Sequence, residues 1–72
     1  MYKRIKELRE DNDKKQIEVA LIIGTSQQYY SEYENGKRPI PIEKLKKLAI
    51  FYNTSIDYIV ELTNERAPYK RV

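Results

Sequence analysis

The stretch from residue 16 to residue 36 reads QIEVALIIGTSQQYYSEYENG and contains two glycines, Gly24 and Gly36. Glycine readily adopts the left-handed backbone conformation that often ends a helix, so each glycine predicts a helix C-terminus. The hydroxyl group of Thr25 or Ser26 can cap the helix that follows the first glycine. The stretch therefore predicts two short helices joined by a tight turn, and we expect the rest of the chain to support this pair.

The two predicted helices each have an apolar or aromatic side. Val19, Ala20 and Ile23 are spaced to form the inner face of the first one. Asp13 is predicted to cap its N-terminus, because Gln16 follows three residues later and could complete a capping box. In the second one, from Gln27 to about residue 35, the tyrosines at positions 30 and 33 share a face and are predicted to point inward.

Three further helices are predicted outside this stretch. A first helix over residues 2–11 is indicated by Ile5 and Leu8, with charged residues around its other sides. Residues 37–41 form a basic loop stiffened by two prolines. A fourth helix follows, with an inner face of Ile42, Leu45, Leu48, Ala49 and Tyr52. Residues 53–55 end it and cap a fifth helix, whose apolar side is predicted to be Ile56, Ile59, Val60 and Leu62.

The composition excludes several classes of function. The chain has 72 residues, 40% of them hydrophobic, which is enough for one small domain with a thin core. It contains no cysteine and no histidine, so thiolate metal sites and the usual general base are absent, and we expect no enzyme, cofactor or metal site. Its longest apolar run is too short to span a bilayer, and we expect a cytoplasmic protein.

The predicted domain covers residues 1–63, and residues 64–72 are predicted to form a short, basic, flexible C-terminal tail. The net charge is +3, a mild preference for polyanions. Lys44, Lys46 and Lys47 are predicted to lie on the solvated side of the fourth helix and are not assigned to a site.

The chain resembles the phage-repressor and Cro-type (XRE-type) helix-turn-helix family over roughly residues 2–62. The residues that carry the resemblance are Gln16, Ala20, Gly24, Ser26-Gln27, Tyr33-Glu34-Asn35-Gly36-Lys37-Arg38 and Ser55-Ile56-Asp57-Tyr58. The resemblance implies an all-α, five-helix, lambda-repressor-like DNA-binding domain, in which helices 2 and 3 form the helix-turn-helix. It also implies a sequence-specific, repressor-like transcriptional regulator of double-stranded DNA.

The exposed face of the third helix is the predicted base-reading surface. When the two inner tyrosines face the core, the outward residues are Gln27, Gln28, Ser31 and Glu32, with Tyr29 beside them. Glutamine can form two hydrogen bonds with adenine in the major groove, and the first turn of this helix normally approaches the base edges. Glu32 would repel phosphate unless it accepts a hydrogen bond from cytosine.

The resemblance also implies roles for residues around this face. Gln16, Asn35, Lys37 and Arg38 match family positions that bind the DNA backbone, and we place Ser26 with them. The residue matching Arg9 tends to pair with the one matching Glu34, which implies a structural ion pair. Because residues 16–36 contain three glutamates and no Lys or Arg, attraction to phosphate must come from the flanking residues.

Two hypotheses for function follow from these patterns. In the first, the protein is a homodimeric regulator on a two-fold operator, with a dimer surface predicted around Ile56, Tyr58, Ile59 and Val60. Repressor, controller and antitoxin roles all fit this hypothesis. In the alternative, the helix-turn-helix is a scaffold that binds a protein partner through the unusually apolar second helix, at Ile17, Leu21 and Ile22.

Overall fold

The computed structural model describes residues 3–68, and within this range the chain forms helices and no strand. The helices are α1 (Lys3–Asp11), α2 (Gln16–Ile23), α3 (Gln27–Glu34), α4 (Ile42–Phe51) and α5 (Ile56–Ile59). The predicted all-α fold with a tight turn between the second and third helices is confirmed.

Each of these helices ends at a residue in the left-handed conformation. These residues are Asp13, Gly24, Gly36, Asn53 and Glu61, with φ values between 53° and 75°. At Gly24, for example, the Thr25 N–H donates to the carbonyl of Ala20 at 2.9 Å, and the Gly24 N–H donates to that of Leu21 at 3.3 Å. This paired arrangement satisfies the carbonyls that a helix end leaves free, so it fixes the direction of the chain after each helix.

The prediction that Asp13 caps α2 is wrong. Asp13 has a φ of 54° and ends α1, a position that Asp tolerates better than most residues because its side chain is short and polar. The N-cap of α2 is Lys15, whose backbone N–H donates to the Glu18 carboxylate at 2.8 Å. A lysine side chain has no acceptor, so Glu18 alone supplies the side-chain part of this cap.

The core collects apolar residues from all of these helices. Its members are Ile5, Leu8, Val19, Ala20, Ile23, Tyr30, Tyr33, Leu45, Leu48, Ala49, Tyr58 and Ile59. The predicted inner faces of α2 and α3 are therefore confirmed. Two predicted inner residues are instead exposed: Ile42 by 53% and Leu62 by 77%, the latter because α5 ends before it.

The predicted dimer surface is wrong for two of its members, Tyr58 and Ile59, which are buried in the core of the same chain. α5 is a single short turn of helix, and it has too few residues to fill the core and to form a separate apolar surface. Ile56 and Val60 are half-buried and pack against the edge of the core.

The segment after α5 is held against the helices as far as Arg66, which includes the first residues of the predicted tail. Arg4 donates to the carbonyl of Thr63 at 2.6 Å and to Asn64 Oδ1 at 2.7 Å. Arg66 donates to Asp11 Oδ2 at 3.0 Å, and its own carbonyl accepts from the Thr54 hydroxyl at 2.6 Å. The other part of the predicted tail, residues 69–72, lies outside the described residues.

Candidate nucleic-acid interface

The turn between α2 and α3 sets the orientation of α3. The Ser26 hydroxyl caps α3 by accepting from the Tyr29 N–H at 3.1 Å, which decides between the two hydroxyl residues considered for this cap. On the other side of the turn, Lys44 Nζ donates to the carbonyl of Gly24 at 2.9 Å. A positive charge at the C-terminus of α2 also suits the helix dipole. Lys44 therefore contacts the turn instead of belonging only to a solvated face.

An ion pair fixes the inner face of α3. Arg9 donates from Nε to Glu34 Oε2 at 2.7 Å and from Nη2 to Glu34 Oε1 at 3.2 Å. Gln16 Nε2 donates to the same carboxylate at 3.1 Å, and Arg9 also donates to the carbonyl of Lys14 at 3.0 Å. We call Arg9, Gln16 and Glu34 the inner cluster. It links α1, the start of α2 and the end of α3.

The inner cluster keeps its charges at neutral pH. Burial raises the pKa of Glu34, but the hydrogen bonds from Arg9 and from Gln16 outweigh it and hold the pKa below its usual value. The hydrogen bond to Glu34 correspondingly raises the pKa of Arg9. Burial raises the pKa of nearby Tyr52 to about 12 and raises that of Tyr30 further, so both phenols stay neutral.

The predicted base-reading residues lie on the part of α3 that is not packed into the core. Gln27 and Gln28, in its first turn, and Tyr29 are exposed, whereas Ser31 and Glu32 are half-buried. The two glutamines therefore present their amides to solvent at the N-terminal end of the helix. The structure brings all five residues to accessible positions on one short element.

Arg38 is drawn onto this face by two contacts. Its Nε donates to Glu32 Oε1 at 2.8 Å, and its guanidinium lies 3.8 Å from the centre of the Tyr29 ring. The other carboxylate oxygen, Glu32 Oε2, accepts from Gln28 Nε2 at 3.4 Å. We call Gln28, Tyr29, Glu32 and Arg38 the outer cluster. The hydrogen bond from Arg38 lowers the pKa of Glu32, so its carboxylate stays ionised.

The other residues predicted to bind phosphate differ in how free they are. Lys37 is exposed at the end of α3, and Asn35 is exposed there with its amide 3.4 Å from the Ser31 hydroxyl. Gln16 is half-buried and donates to Glu34, and the Ser26 hydroxyl is engaged in the helix cap. Lys37 is thus the charged member of this group, and its side chain is exposed.

Each of the three glutamates of residues 16–36 has a hydrogen-bond partner in the structure. Glu18 accepts from the Lys15 backbone N–H, Glu32 pairs with Arg38, and Glu34 pairs with Arg9. Both arginines come from outside the stretch, so the sequence of the stretch alone overstates its negative charge. Arg9 and Arg38 compensate the charges of Glu34 and Glu32, and this removes most of the repulsion that three unpaired carboxylates would exert on phosphate.

The apolar surface predicted on α2 is present. Leu21 is 73% exposed, and Ile17 and Ile22 are each exposed by about two fifths, at 41% and 42%. Exposed apolar side chains gathered on one element often mark a contact with another molecule. Among residues 3–68, no group of acidic side chains is arranged to hold a metal ion, and no helix is long and apolar enough to cross a membrane.

Comparison with known proteins agrees with this geometry. A protein-family model described as helix-turn-helix matches residues 5–59. The chain is 35% identical over 69 residues to the uncharacterized HTH-type transcriptional regulator YobD of Bacillus subtilis, covering 94% of this chain and 62% of the relative. It is 39% identical over 57 residues to the cryptic phage CTXphi transcriptional repressor RstR of Vibrio cholerae, covering 79% of this chain and 51% of the relative.

The chain thus spans between one half and two thirds of the length of these curated relatives. No solved structure matches it significantly. The matched region begins at Ile5 in α1 and ends at Ile59 in α5, so it includes both clusters and the turn between α2 and α3. The chain therefore belongs to the XRE-type helix-turn-helix family.

Proposed function

We propose that the protein is a sequence-specific, double-stranded DNA-binding transcriptional regulator, repressor-like, that reads the major groove with α3. The observation that carries the proposal is the exposed glutamine pair Gln27 and Gln28, at the N-terminal end of a helix whose C-terminal end is anchored by the inner cluster. The family membership and the regulator and repressor names of the two relatives support it.

The geometry suits base recognition for a physical reason. The major groove is about 12 Å wide and accepts one helix, and the first turn of a recognition helix normally meets the base edges. A glutamine amide offers one donor and one acceptor side by side, which matches N7 and N6 of adenine. Because the inner cluster holds the end of α3, the two amides enter the groove from a fixed direction.

The attraction to DNA in this proposal comes from the borders of the helix-turn-helix. Lys14 and Lys15 precede α2, and Lys37 follows α3. Each phosphate contact lowers the logarithm of affinity by about 0.9 per tenfold rise in salt, so a few lysines give a measurable salt slope. In this role the protein is cytoplasmic, uses no cofactor and acts by occupying DNA without catalysing a reaction.

One short recognition helix reads only a few base pairs, so we propose a homodimer on a two-fold operator. Two copies would place their α3 helices in successive major grooves roughly 34 Å apart. Of the residues first predicted for the dimer surface, only Ile56 and Val60 are partly accessible, and they remain its proposed members.

Selection from random double-stranded DNA tests this function directly. We expect an enriched motif with two-fold symmetry. Gln27→Ala should then weaken binding to the enriched site by roughly 1–3 kcal/mol and relax the preference at one base pair. Lys37→Ala is the matched control, because it should weaken binding to every sequence equally. An equal loss on all sequences for Gln27→Ala would contradict base reading by that residue.

The exposed apolar surface of α2 favours a second candidate function, in which the domain binds a protein partner through Ile17, Leu21 and Ile22. An Ile17→Lys, Leu21→Lys double variant should then lose binding or self-association in a pull-down while it keeps its helical circular dichroism spectrum. Ile50→Lys is a control, because Ile50 is also an exposed apolar residue but lies on α4. A folded double variant that keeps every interaction would refute this candidate.

A further inference from the structure

Arg38 is held unusually well for a surface arginine. Its guanidinium bonds Glu32 on one edge at 2.8 Å and lies over the Tyr29 ring at 3.8 Å. Its backbone is constrained as well, because it lies two residues after the left-handed Gly36 and directly before Pro39. A flexible phosphate-binding side chain needs none of these constraints.

The contact with Arg38 determines how Glu32 lies. One carboxylate oxygen, Oε1, is engaged by the arginine, which turns the other, Oε2, toward Gln28 on the preceding turn of α3. Residues four apart on a helix are neighbours on its surface, so this orientation brings Glu32 Oε2 within 3.4 Å of Gln28 Nε2.

The contact with Glu32 in turn determines how the Gln28 amide lies. An ionised carboxylate only accepts hydrogen bonds, so the amide must turn its nitrogen, not its oxygen, toward Glu32. One N–H of Gln28 is then occupied. The second N–H and the carbonyl oxygen remain free, and they are the donor and acceptor that adenine N7 and N6 require.

We propose that Arg38 is a specificity-determining positioning residue, which acts through Glu32 to orient the base-reading amide of Gln28. This inference rests on the proposed function and revises the role that the family resemblance implied for Arg38. In the family-based prediction, Arg38 binds phosphate and adds the same affinity on every sequence. In the outer cluster its charge is already compensated by Glu32, so its main effect is on the choice of base.

Arg38→Lys separates the two roles because it keeps the charge and loses the shape. Lysine is a flexible point charge that cannot hold a planar group over Tyr29 while presenting an N–H to Glu32 in a fixed direction. We expect Arg38→Lys to keep the salt slope and the affinity for unrelated DNA. Preference at the base pair read by Gln28 should fall about threefold to tenfold, a part of the discrimination that one bidentate base contact supplies.

The base pair read by Gln28 is identified first, as the one whose preference disappears in Gln28→Ala. Arg38→Lys introduced into the Gln28→Ala variant should cause no further loss of preference, because the amide to be oriented is already gone. Lys37→Ala serves as the control for a simple charge contact and should leave preference at that base pair unchanged. A full base preference in Arg38→Lys would overturn the proposal.

A measurement on the free protein distinguishes failure of this inference from failure of the proposed function. The side-chain NH₂ resonances of Gln28 should shift in Arg38→Lys and in Glu32→Gln, whereas those of Gln27, which has no such contact, should not. Unchanged Gln28 resonances would overturn the positioning role whatever the DNA result. If the wild-type protein shows no sequence preference while these resonances shift, the proposed function fails and base reading by the outer cluster fails with it.

Discussion

Two ion pairs on α3 have the same chemistry in different surroundings. Glu34 meets Arg9 at 2.7 Å, and Glu32 meets Arg38 at 2.8 Å. The side chains of the inner pair are only 2% and 14% exposed for Glu34 and Arg9, whereas those of the outer pair are 24% and 40% exposed for Glu32 and Arg38. The two glutamates are separated by one residue, yet one faces the core and the other faces solvent.

This difference assigns the two pairs different roles. A buried charge that loses its partner is costly because water cannot replace the partner, so the inner pair holds the fold together. An exposed pair is screened by water and adds little stability. The outer pair instead fixes the orientation of side chains that face solvent on α3. Comparing matched variants of the two pairs tests this division.

The largest expected effect is on the inner pair. Glu34→Gln keeps the shape of the side chain but leaves the nearly buried Arg9 charge without its counter-ion. We expect a loss of about 3 kcal/mol in the free energy of unfolding, at the lower end of the range for broken buried pairs because Arg9 keeps some exposure. Urea unfolding followed by circular dichroism measures this change. A loss below about 1 kcal/mol would mean that the inner cluster is dispensable.

The next largest expected effect is on how strongly the free energy of unfolding depends on pH in the acidic range. The pKa of Glu34 lies below its ordinary value of 4.5 in the folded protein, so the folded state holds the ionised form more strongly. The resulting stabilisation is complete above that ordinary pKa and is lost as the pH falls through the depressed one. We expect the free energy of unfolding to drop less between pH 6 and pH 3, roughly the titration range of carboxylates, in Glu34→Gln than in the wild type. Equal slopes for the two proteins would contradict this assignment.

A smaller loss in the free energy of unfolding is expected when the N-terminal cap of α3 is removed. Ser26→Ala removes the hydroxyl that accepts from the Tyr29 N–H and should cost about 1 kcal/mol. Thr25→Ala is the matched control, since its hydroxyl does not cap α3, and it should cost clearly less. Thermal or urea unfolding measures the stability of both variants. A larger loss of stability for Thr25→Ala would reverse the assignment of the cap.

The smallest expected effect on stability is at the outer pair. Glu32→Gln should leave the urea midpoint of unfolding within experimental error of the wild type, because water already solvates both partners. The same variant should raise affinity for unrelated DNA, since it leaves the Arg38 charge uncompensated. A strongly destabilised Glu32→Gln variant would remove the contrast between the two pairs.

Much of the fold could be predicted from local patterns. The glycines at positions 24 and 36 mark helix ends because few other residues take the left-handed conformation without strain. Helical spacing of apolar residues identified the inner faces of α2 and α3, including both inner tyrosines. These signals are strong because each depends on one residue or on one short period.

The wrong predictions concern residues whose local sequence fits two different roles. Asp13 can cap a following helix or end a preceding one, and its left-handed backbone and the position of Lys15 as the N-cap of α2 give it the second role. Tyr58 and Ile59 suit a dimer surface as well as a core, and they are buried because the short α5 completes the core of this chain. The contacts of Arg66 with Asp11 and Thr54 join residues far apart in sequence, which no local pattern predicts.

The sequence by itself determined where α2 ends, where α3 begins and which of their apolar residues face inward, because capping and periodicity act over a few residues. Only the tertiary structure decided which charges remain free. It adds Gln16 to the Arg9–Glu34 pair that the resemblance implied, and it folds Arg38 back onto Glu32 and Tyr29. Electrostatic energy depends on distance in space, not along the chain, so a stretch that is acidic in sequence becomes nearly compensated once it is folded.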